Sequence, residues 1–406
     1  MHRPVCLNIA GLVSREKETR LVLKMLFILM VVGLVSCSRG ALPSQIARAT
    51  KTATSSATVV SPSPTVTTTV TPTPTAPSPT PTPVPTATYT PTPTPQPPAG
   101  FTTSQLRKEI VPQTYLTDAC RYLKERWSPN NSQPGTVVVP VMFHSIVNND
   151  TKVSDPKDIS EQAFQDFATY SHYLGFETIT TTQLINFLEH NAWIPPRSMM
   201  LIFDDRREGV IREHVMPVWE EFNWKVVMAY ISGPVVSDNE WANMEDLFKT
   251  GRIDVQAHGF LHNGQTYITD QTPEEVIRGE IFNPIPVLKK HFGYRPEAFI
   301  WPGGNFNKLA VGIVREAGYQ LGFTVESNGP LMYNWIPQNE QDLAVKDPLM
   351  VLPRAWSNEA NFKLYQAVQI GAEARAFALQ DYPAEAAWYR KVCSGALPEV
   401  NLTATP

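Results

Sequence analysis

The sequence predicts an α/β fold, a barrel or a doubly wound sheet, on three observations. Short apolar and β-branched runs alternate with helix-like stretches over residues 136–358, beginning with TVVVPVMF at 136–143. Acidic and histidine side chains fall directly after several of these runs, where α/β folds place their active groups. Proline and threonine are instead crowded elsewhere: 14 Pro and 17 Thr lie between residues 51 and 100, so the 406-residue chain is not one uniform globule.

The first element is an address. Arg15, Lys17, Arg20 and Lys24 precede an apolar run at 25–35 (MLFILMVVGLV), the layout of a signal peptide. The run is 11 residues long, short of the ~20 that a permanent spanning helix needs. Leu34-Val35-Ser36-Cys37 resembles the cleavage site of bacterial lipoproteins, which implies processing at Cys37, acylation of its thiol and an extracytoplasmic chain anchored to the bacterial cell membrane by lipid. Residues 1–36 are therefore expected to be the signal peptide. Residues 37–100 are expected to be the lipidated cysteine and a disordered Thr/Pro-rich linker, because repeats such as Thr71-Pro72-Thr73-Pro74 favour polyproline II and cannot build a core. Fully extended, that spacer reaches roughly 190 Å.

Cysteine usage fits the same compartment. With Cys6 removed and Cys37 lipidated, Cys120 and Cys393 remain, and a disulfide is expected to clip a helix at 117–127 to one at 383–394. These belong to an N-terminal helical extension, 101–135, and a C-terminal helical extension, 359–406, whose alanines (Ala372, Ala374, Ala376, Ala378, Ala384, Ala386 and Ala387) suggest two packed helices bracing the barrel. The balance of 34 Lys+Arg against 38 Asp+Glu gives −4, too mild a charge to attract nucleic acid or an anionic membrane by its field.

Within residues 136–358 further strands are expected at 177–180, 199–203, 225–231, 252–257, 298–301, 319–323 and 349–352, with helices at 161–174, 182–190, 273–291 and 307–317. Three strand ends carry groups able to bind metal or move protons: His144, the pair Asp204-Asp205, and His258 with His262. Adjacent carboxylates at a strand end point in different directions, so one can ligate a metal while the other acts as a base. Two imidazoles and one carboxylate leave open positions on Zn²⁺ or a similar divalent ion, as catalysis requires.

These blocks resemble the polysaccharide deacetylases, whose catalytic unit is the NodB homology domain of carbohydrate esterase family 4. Pro140-Val141-Met142-Phe143-His144-Ser145-Ile146 is similar to the family's opening strand, P-V-x-x-Y-H-x-I, and Leu201-Ile202-Phe203-Asp204-Asp205 to its T-F-D-D-G block. His258-Gly259-Phe260-Leu261-His262 resembles H-[ST]-x-x-H, Phe299-Ile300-Trp301-Pro302-Gly303-Gly304 resembles F-x-Y-P-x-G, and Leu352-Pro353-Arg354 resembles a late L-P-R strand. Each block alone is weak; five in the family's order, over about residues 137–357, are specific.

The resemblance implies a deformed (β/α) barrel of the NodB type. It makes Asp204 the catalytic base and Asp205, His258 and His262 the ligands of a divalent metal, Zn²⁺ first, with Co²⁺ or Ni²⁺ as alternatives. It also places an oxyanion-binding backbone N–H near Gly303, and Arg354 as the group orienting Asp204. No histidine follows His291, so the C-terminal acid of many family members is missing, and by resemblance to the poly-N-acetylglucosamine and exopolysaccharide branch His144 takes that role. The implied function is hydrolysis of N-acetyl, less readily O-acetyl, groups on an N-acetylglucosamine-containing cell-wall or extracellular polysaccharide.

Three positions depart from the pattern: Arg206 stands for the glycine of T-F-D-D-G, Gly259 for the Ser/Thr between the histidines, and Gly303 for a larger residue. They motivate a competing reading, a catalytically degenerate barrel that only binds glycan. A metal amidohydrolase acting on a small amide is a third. His172, His190, His214 and His291 read as surface histidines, and Trp301, Trp335 and Trp356 as core or sugar-stacking aromatics. The sequence has no P-loop, no G-x-S-x-G elbow and no catalytic Cys with a partnered His, which argues against nucleotide hydrolysis, serine esterase and thiol protease chemistry.

Overall fold

The computed structural model describes residues 97, 100–263 and 266–399; the segment expected to be a signal peptide, Cys37 and all of the Pro/Thr tract before residue 97 lie outside the described residues. No helix among the described residues is long and apolar enough to cross a membrane.

The strands are β1 (Val111–Gln113), β2 (Val137–Phe143), β3 (Ile146–Val147), β4 (Ile159–Ser160), β5 (Glu177–Thr178), β6 (Arg197–Asp205), β7 (Val226–Tyr230), β8 (Ile253–Ala257), β9 (Ala298–Ile300), β10 (Leu321–Phe323), β11 (Ile336–Gln338) and β12 (Ala355–Trp356). The main sheet has eight strands in the order β10-β9-β8-β7-β6-β2-β12, with β5 beside the start of β6, and its pairs are parallel. A short crossing segment closes it. Leu352 bridges Phe323 of β10, its N–H donating to the Gly322 carbonyl at 2.8 Å, and three residues later Ala355 pairs with Val141 of β2. The expected α/β barrel is thus observed as a ring of parallel strands.

Side-chain alternation decides what each face does. Val137, Val139, Val141 and Phe143 of β2, with Met199, Leu201 and Phe203 of β6, pack outward in the larger core with the surrounding helices. Val138, Met200, Ile202, Val227, Ala229, Ile300, Phe323 and Leu352 form the inner cluster, joined by Leu184, Phe187 and Leu188 from the helix Thr181–His190. The inner register continues beyond the apolar layer to Met142 and His144, to Asp204, to His258 and to Arg354. The residues that fill the barrel and those that carry chemistry therefore lie on the same face of the same strands.

Four expectations change at this level. The helix expected at 273–291 is two, Glu274–Phe282 and Pro284–Phe292, because Pro284 has no N–H to continue the first. The strand expected at 349–352 is a 3₁₀ turn, Pro348–Met350, followed by the Leu352 bridge. The two C-terminal helices are one, Ala360–Val392, running through Pro383 because its second half is tied down by buried Glu385, Ala386 and Tyr389. His214 is buried and His291 half-buried, the latter stacked on Trp241 at 3.8 Å between ring centres. Helices at Met216–Glu221, Asp238–Phe248 and Glu340–Val345 were not anticipated.

The long C-terminal helix crosses close to the entry of β2, where a Cβ on Gly371 would meet the Gly135 carbonyl oxygen at 2.6 Å. Its far end meets the helix Ala119–Arg126, and the Cys120–Cys393 disulfide joins the two with their Cα atoms 5.5 Å apart.

Candidate active site

Asp204, Asp205, His258, His262, His144 and Gly303 line one cavity of about 640 Å³ at the C-terminal ends of the strands, together with Met142, Lys157, Tyr267 and Trp356. Arg354 stands behind it, fully buried.

Asp204 ends the inner register of β6. Its Oδ1 accepts a 2.6 Å hydrogen bond from Arg354 Nη1, and Arg354 Nε donates to the Thr324 carbonyl at 2.6 Å. Oδ2 is left facing the cavity, 4.0 Å from His144 Nε2 and 3.8 Å from His258 Nε2. Burial is the largest single influence on Asp204 and pushes its carboxyl up, but the opposing charges, the Arg354 guanidinium foremost, hold the group below the ordinary carboxylate range. A buried carboxylate that stays ionised, with one oxygen fixed and the other facing the cavity, is equipped to accept a proton.

Asp205 leaves the strand in the left-handed region, φ 71°, which turns its side chain away from that of Asp204. Its Oδ1 lies 3.8 Å from His258 Nε2 and 3.9 Å from His262 Nε2, and Arg207 Nη2 is 3.4 Å from Oδ2. The ring of His258 is oriented by its Nδ1, 2.9 Å from the Ile300 carbonyl. Only an N–H can sit against that oxygen, so Nδ1 carries the proton and the Nε2 lone pair faces the cavity. Burial, opposed by Asp204, pushes His258 down to about 4, which keeps the imidazole neutral as a metal ligand must be.

The three donor atoms lie within 4.8 Å of one another. Two ligands bonded to a tetrahedral Zn²⁺ at ~2.1 Å are about 3.4 Å apart, so Asp205, His258 and His262 fit a divalent ion after a small contraction. They also leave the cavity side open.

His144 continues the inner register of β2, its ring nearly parallel to Trp356 with centres 6.3 Å apart. Burial lowers its pKa, with Asp204 and Asp205 opposing, and its Nδ1 is buried without a hydrogen-bond partner. Of the three tryptophans considered from sequence, Trp356 lines the cavity. Trp301 is core, its Nε1 donating to the Met350 carbonyl at 2.8 Å, and Trp335 is buried elsewhere.

The three departures acquire physical reasons. Residue 206 does not need glycine, because the left-handed residue of this turn is Asp205; the Arg206 side chain instead bonds Glu240 Oε1 at 3.0 Å and the Val235 carbonyl at 3.2 Å. Gly259 has φ +75°, and a Cβ there would meet Glu280 Oε2 at 2.7 Å. Gly303, φ +61°, would carry its Cβ to 2.7 Å from Asn305 Nδ2. Glu280 itself was missed from sequence, although a glutamate between Ile277 and Ile281 on an otherwise apolar helix face was a usable signal.

Residues 194–322 match the family model for polysaccharide deacetylase. Over that stretch the chain resembles the polysaccharide deacetylases. It is similar to poly-beta-1,6-N-acetyl-D-glucosamine N-deacetylase of Escherichia coli O157:H7 and of strain K12, at 20% identity over 266 residues, 55% of this chain and 38% of each relative. The chain thus spans about two fifths of the length of these curated relatives. Among solved structures it is similar to the Streptococcus pyogenes deacetylase PplD in complex with acetate (18% identity, 58% of this chain and 99% of that one, TM-score 0.46). It is also similar to IcaB from Ammonifex degensii (19% identity, 60% and 98%, TM-score 0.45).

Proposed function

We propose that this chain is a deacetylase that hydrolyses N-acetyl groups, and less readily O-acetyl groups, on an extracellular polysaccharide containing N-acetylglucosamine. The observation that carries the reading is the pairing, in one cavity, of an ionised Asp204 with a free Oδ2 and the Asp205/His258/His262 donor set. A divalent ion held by those three, Zn²⁺ or failing that Co²⁺ or Ni²⁺, supplies Lewis acidity to the acetyl carbonyl oxygen.

The chain's own residues account for the proton movements. Asp204 Oδ2 takes a proton from the attacking water while Arg354 keeps Oδ1 in place. Water oxygen bonds to the acetyl carbon, the C–N bond breaks, and acetate and a free amine result. His144, once protonated, gives its Nε2 proton to the departing nitrogen and is reprotonated by the proton that Asp204 Oδ2, 4.0 Å away, took from the water. The backbone N–H near Gly303 is available to the carbonyl oxygen as negative charge builds there. Trp356, at the cavity wall, offers an apolar face to a sugar ring.

The poly-N-acetylglucosamine-type substrate is supported by the two E. coli relatives, which are named as N-deacetylases of that polymer, and by His144 directly after β2. Lipid anchoring at Cys37 in the cell membrane rests on the Leu34–Cys37 sequence alone. The test is acetate release by the full chain from N-acetylglucosamine oligomers, with Zn²⁺ or Co²⁺ and with a chelated control. Release that the chelator stops and metal restores is expected. Bound metal without release from any glycan would favour the glycan-binding alternative, and release from small amides alone would favour the amidohydrolase.

A further inference from the structure

The loop carrying both histidines is held by a side chain outside the family blocks. Glu280 is 2% exposed, on the helix Glu274–Phe282 between Ile277 and Ile281, which are completely buried. Its Oε2 accepts backbone N–H bonds from Phe260 at 2.9 Å, Leu261 at 3.1 Å and His262 at 3.1 Å, and its Oε1 accepts a second contact from Leu261 at 3.0 Å. Three consecutive amides between His258 and the end of the turn therefore converge on one buried carboxylate.

The backbone of that loop is also held in unusual conformations. It contains Gly259 at φ +75° and His262 at φ 41°, a conformation that a non-glycine residue enters only when its surroundings insist. His258 is fixed through its own ring by the Ile300 carbonyl, whereas the N–H of His262 is fixed by Glu280. The space beside Glu280 is also reserved, since a Cβ on residue 259 would sit 2.7 Å from Oε2. Gly259 and Glu280 thus form a matched pair: the missing side chain at 259 is the room the carboxylate occupies.

We propose that Glu280 is a positioning residue for the metal centre, setting the place of His262 through the loop's backbone, and that Gly259 is required by this arrangement. The inference rests on the proposed metal site. Its consequence is that metal affinity depends on a residue touching neither metal nor substrate, by the logic that outer partners of ligands control their geometry.

The test is Co²⁺ binding by calorimetry and visible absorption, on the full chain and three variants whose folding is checked by circular dichroism. Glu280→Ala is expected to weaken Co²⁺ about 10–100-fold and to change the intensity of the tetrahedral Co²⁺ bands. Glu280→Gln, whose amide oxygen can replace Oε2, is expected to stay within about threefold of the parent. Gly259→Ser, which displaces Glu280 while leaving it chemically intact, is expected to weaken Co²⁺ in the same direction as Glu280→Ala and covers the case in which that variant does not fold. Folded Glu280→Ala or Gly259→Ser chains with the parent's affinity and spectrum would overturn the inference. A parent chain that binds no Co²⁺ would instead overturn the metal-site reading beneath it.

Discussion

The rim of the barrel and the clasp between its two terminal extensions are built on opposite terms. At the rim, Asp204 and Arg354 are buried as ions, Asp205 and His262 occupy left-handed backbone, and His144 Nδ1 has no partner. In the clasp, Cys120 is bonded to Cys393, Arg126 Nη1 bonds Glu385 Oε1 at 2.8 Å, and Trp127 Nε1 bonds its other oxygen at 2.5 Å, all over a small apolar cluster of Leu123, Ala378, Ala386 and Tyr389. Buried polar groups that remain strained or incompletely paired are what a reactive site needs; covalently closed, well-paired contacts are what a brace needs. The difference teaches that the clasp serves stability alone, whereas at the rim buried ions such as the Asp204–Arg354 pair serve both stability and chemistry.

The largest stability effect is expected at the rim. Arg354→Met leaves Asp204 buried without its cation, a loss of about 3–5 kcal/mol in chemical denaturation. If the loss were below about 1 kcal/mol, the buried-ion account of the rim would be wrong. Next comes the clasp: replacing Cys120 and Cys393 by serine should cost about 2–4 kcal/mol while leaving turnover at 25 °C unchanged. A matching drop in turnover would show that the two regions are coupled.

His144→Ala sharpens the comparison on the chemical side. Turnover on an N-acetyl sugar should fall about 10²-fold with thermal stability little changed. An activated acetyl ester, whose leaving group needs no proton, should be hydrolysed nearly as fast as by the parent. Equal losses on both substrates would remove His144 as the acid.

The smallest effect concerns Asp342, buried at the start of the helix Glu340–Val345, where it accepts from the Asn339 N–H at 3.1 Å and Asn328 Nδ2 at 2.8 Å. Burial, the leading cause, pushes its carboxyl up to about 6 from 3.8. The folded pKa is above the unfolded one, so this group's favourable contribution is complete below about 4 and is lost as pH rises through about 6. Asp342→Asn should therefore raise the melting temperature at pH 8 relative to the parent by a few degrees, and much less at pH 4.5. An equal shift at both values would contradict the assignment.

Much of this was legible in the sequence, for reasons that can be named. Asp204, His144 and His258 follow strands whose period-two alternation fixes which side chains turn inward, so the inner register could be extended from Val138 or Ile202 straight to the chemistry. Asp205 shares a site with them because it is adjacent to Asp204, and His262 because it lies one short turn, four residues, after His258. What was not legible depends on contacts across the fold. Glu280 reads as one acidic residue on a helix until the loop it holds is in place 18–20 residues upstream. The barrel's closure needs Leu352 to bridge β10 and Ala355 to pair with β2, which no local pattern announces. The continuous C-terminal helix defeats the local rule for Pro383 through packing of its second half. Arg206 looked damaging because position 206 was assumed to make the turn that Asp205 makes.

The most direct test of the central claim is to measure metal content and acetate release together for the Asp204→Asn full chain, loaded with Co²⁺, on N-acetylglucosamine oligomers. If Asp204 is the base beside an independent Asp205/His258/His262 centre, Co²⁺ should remain near one per chain while turnover falls at least ~10³-fold. Retained turnover, or Co²⁺ lost together with activity, would contradict the division of labour between the two adjacent carboxylates.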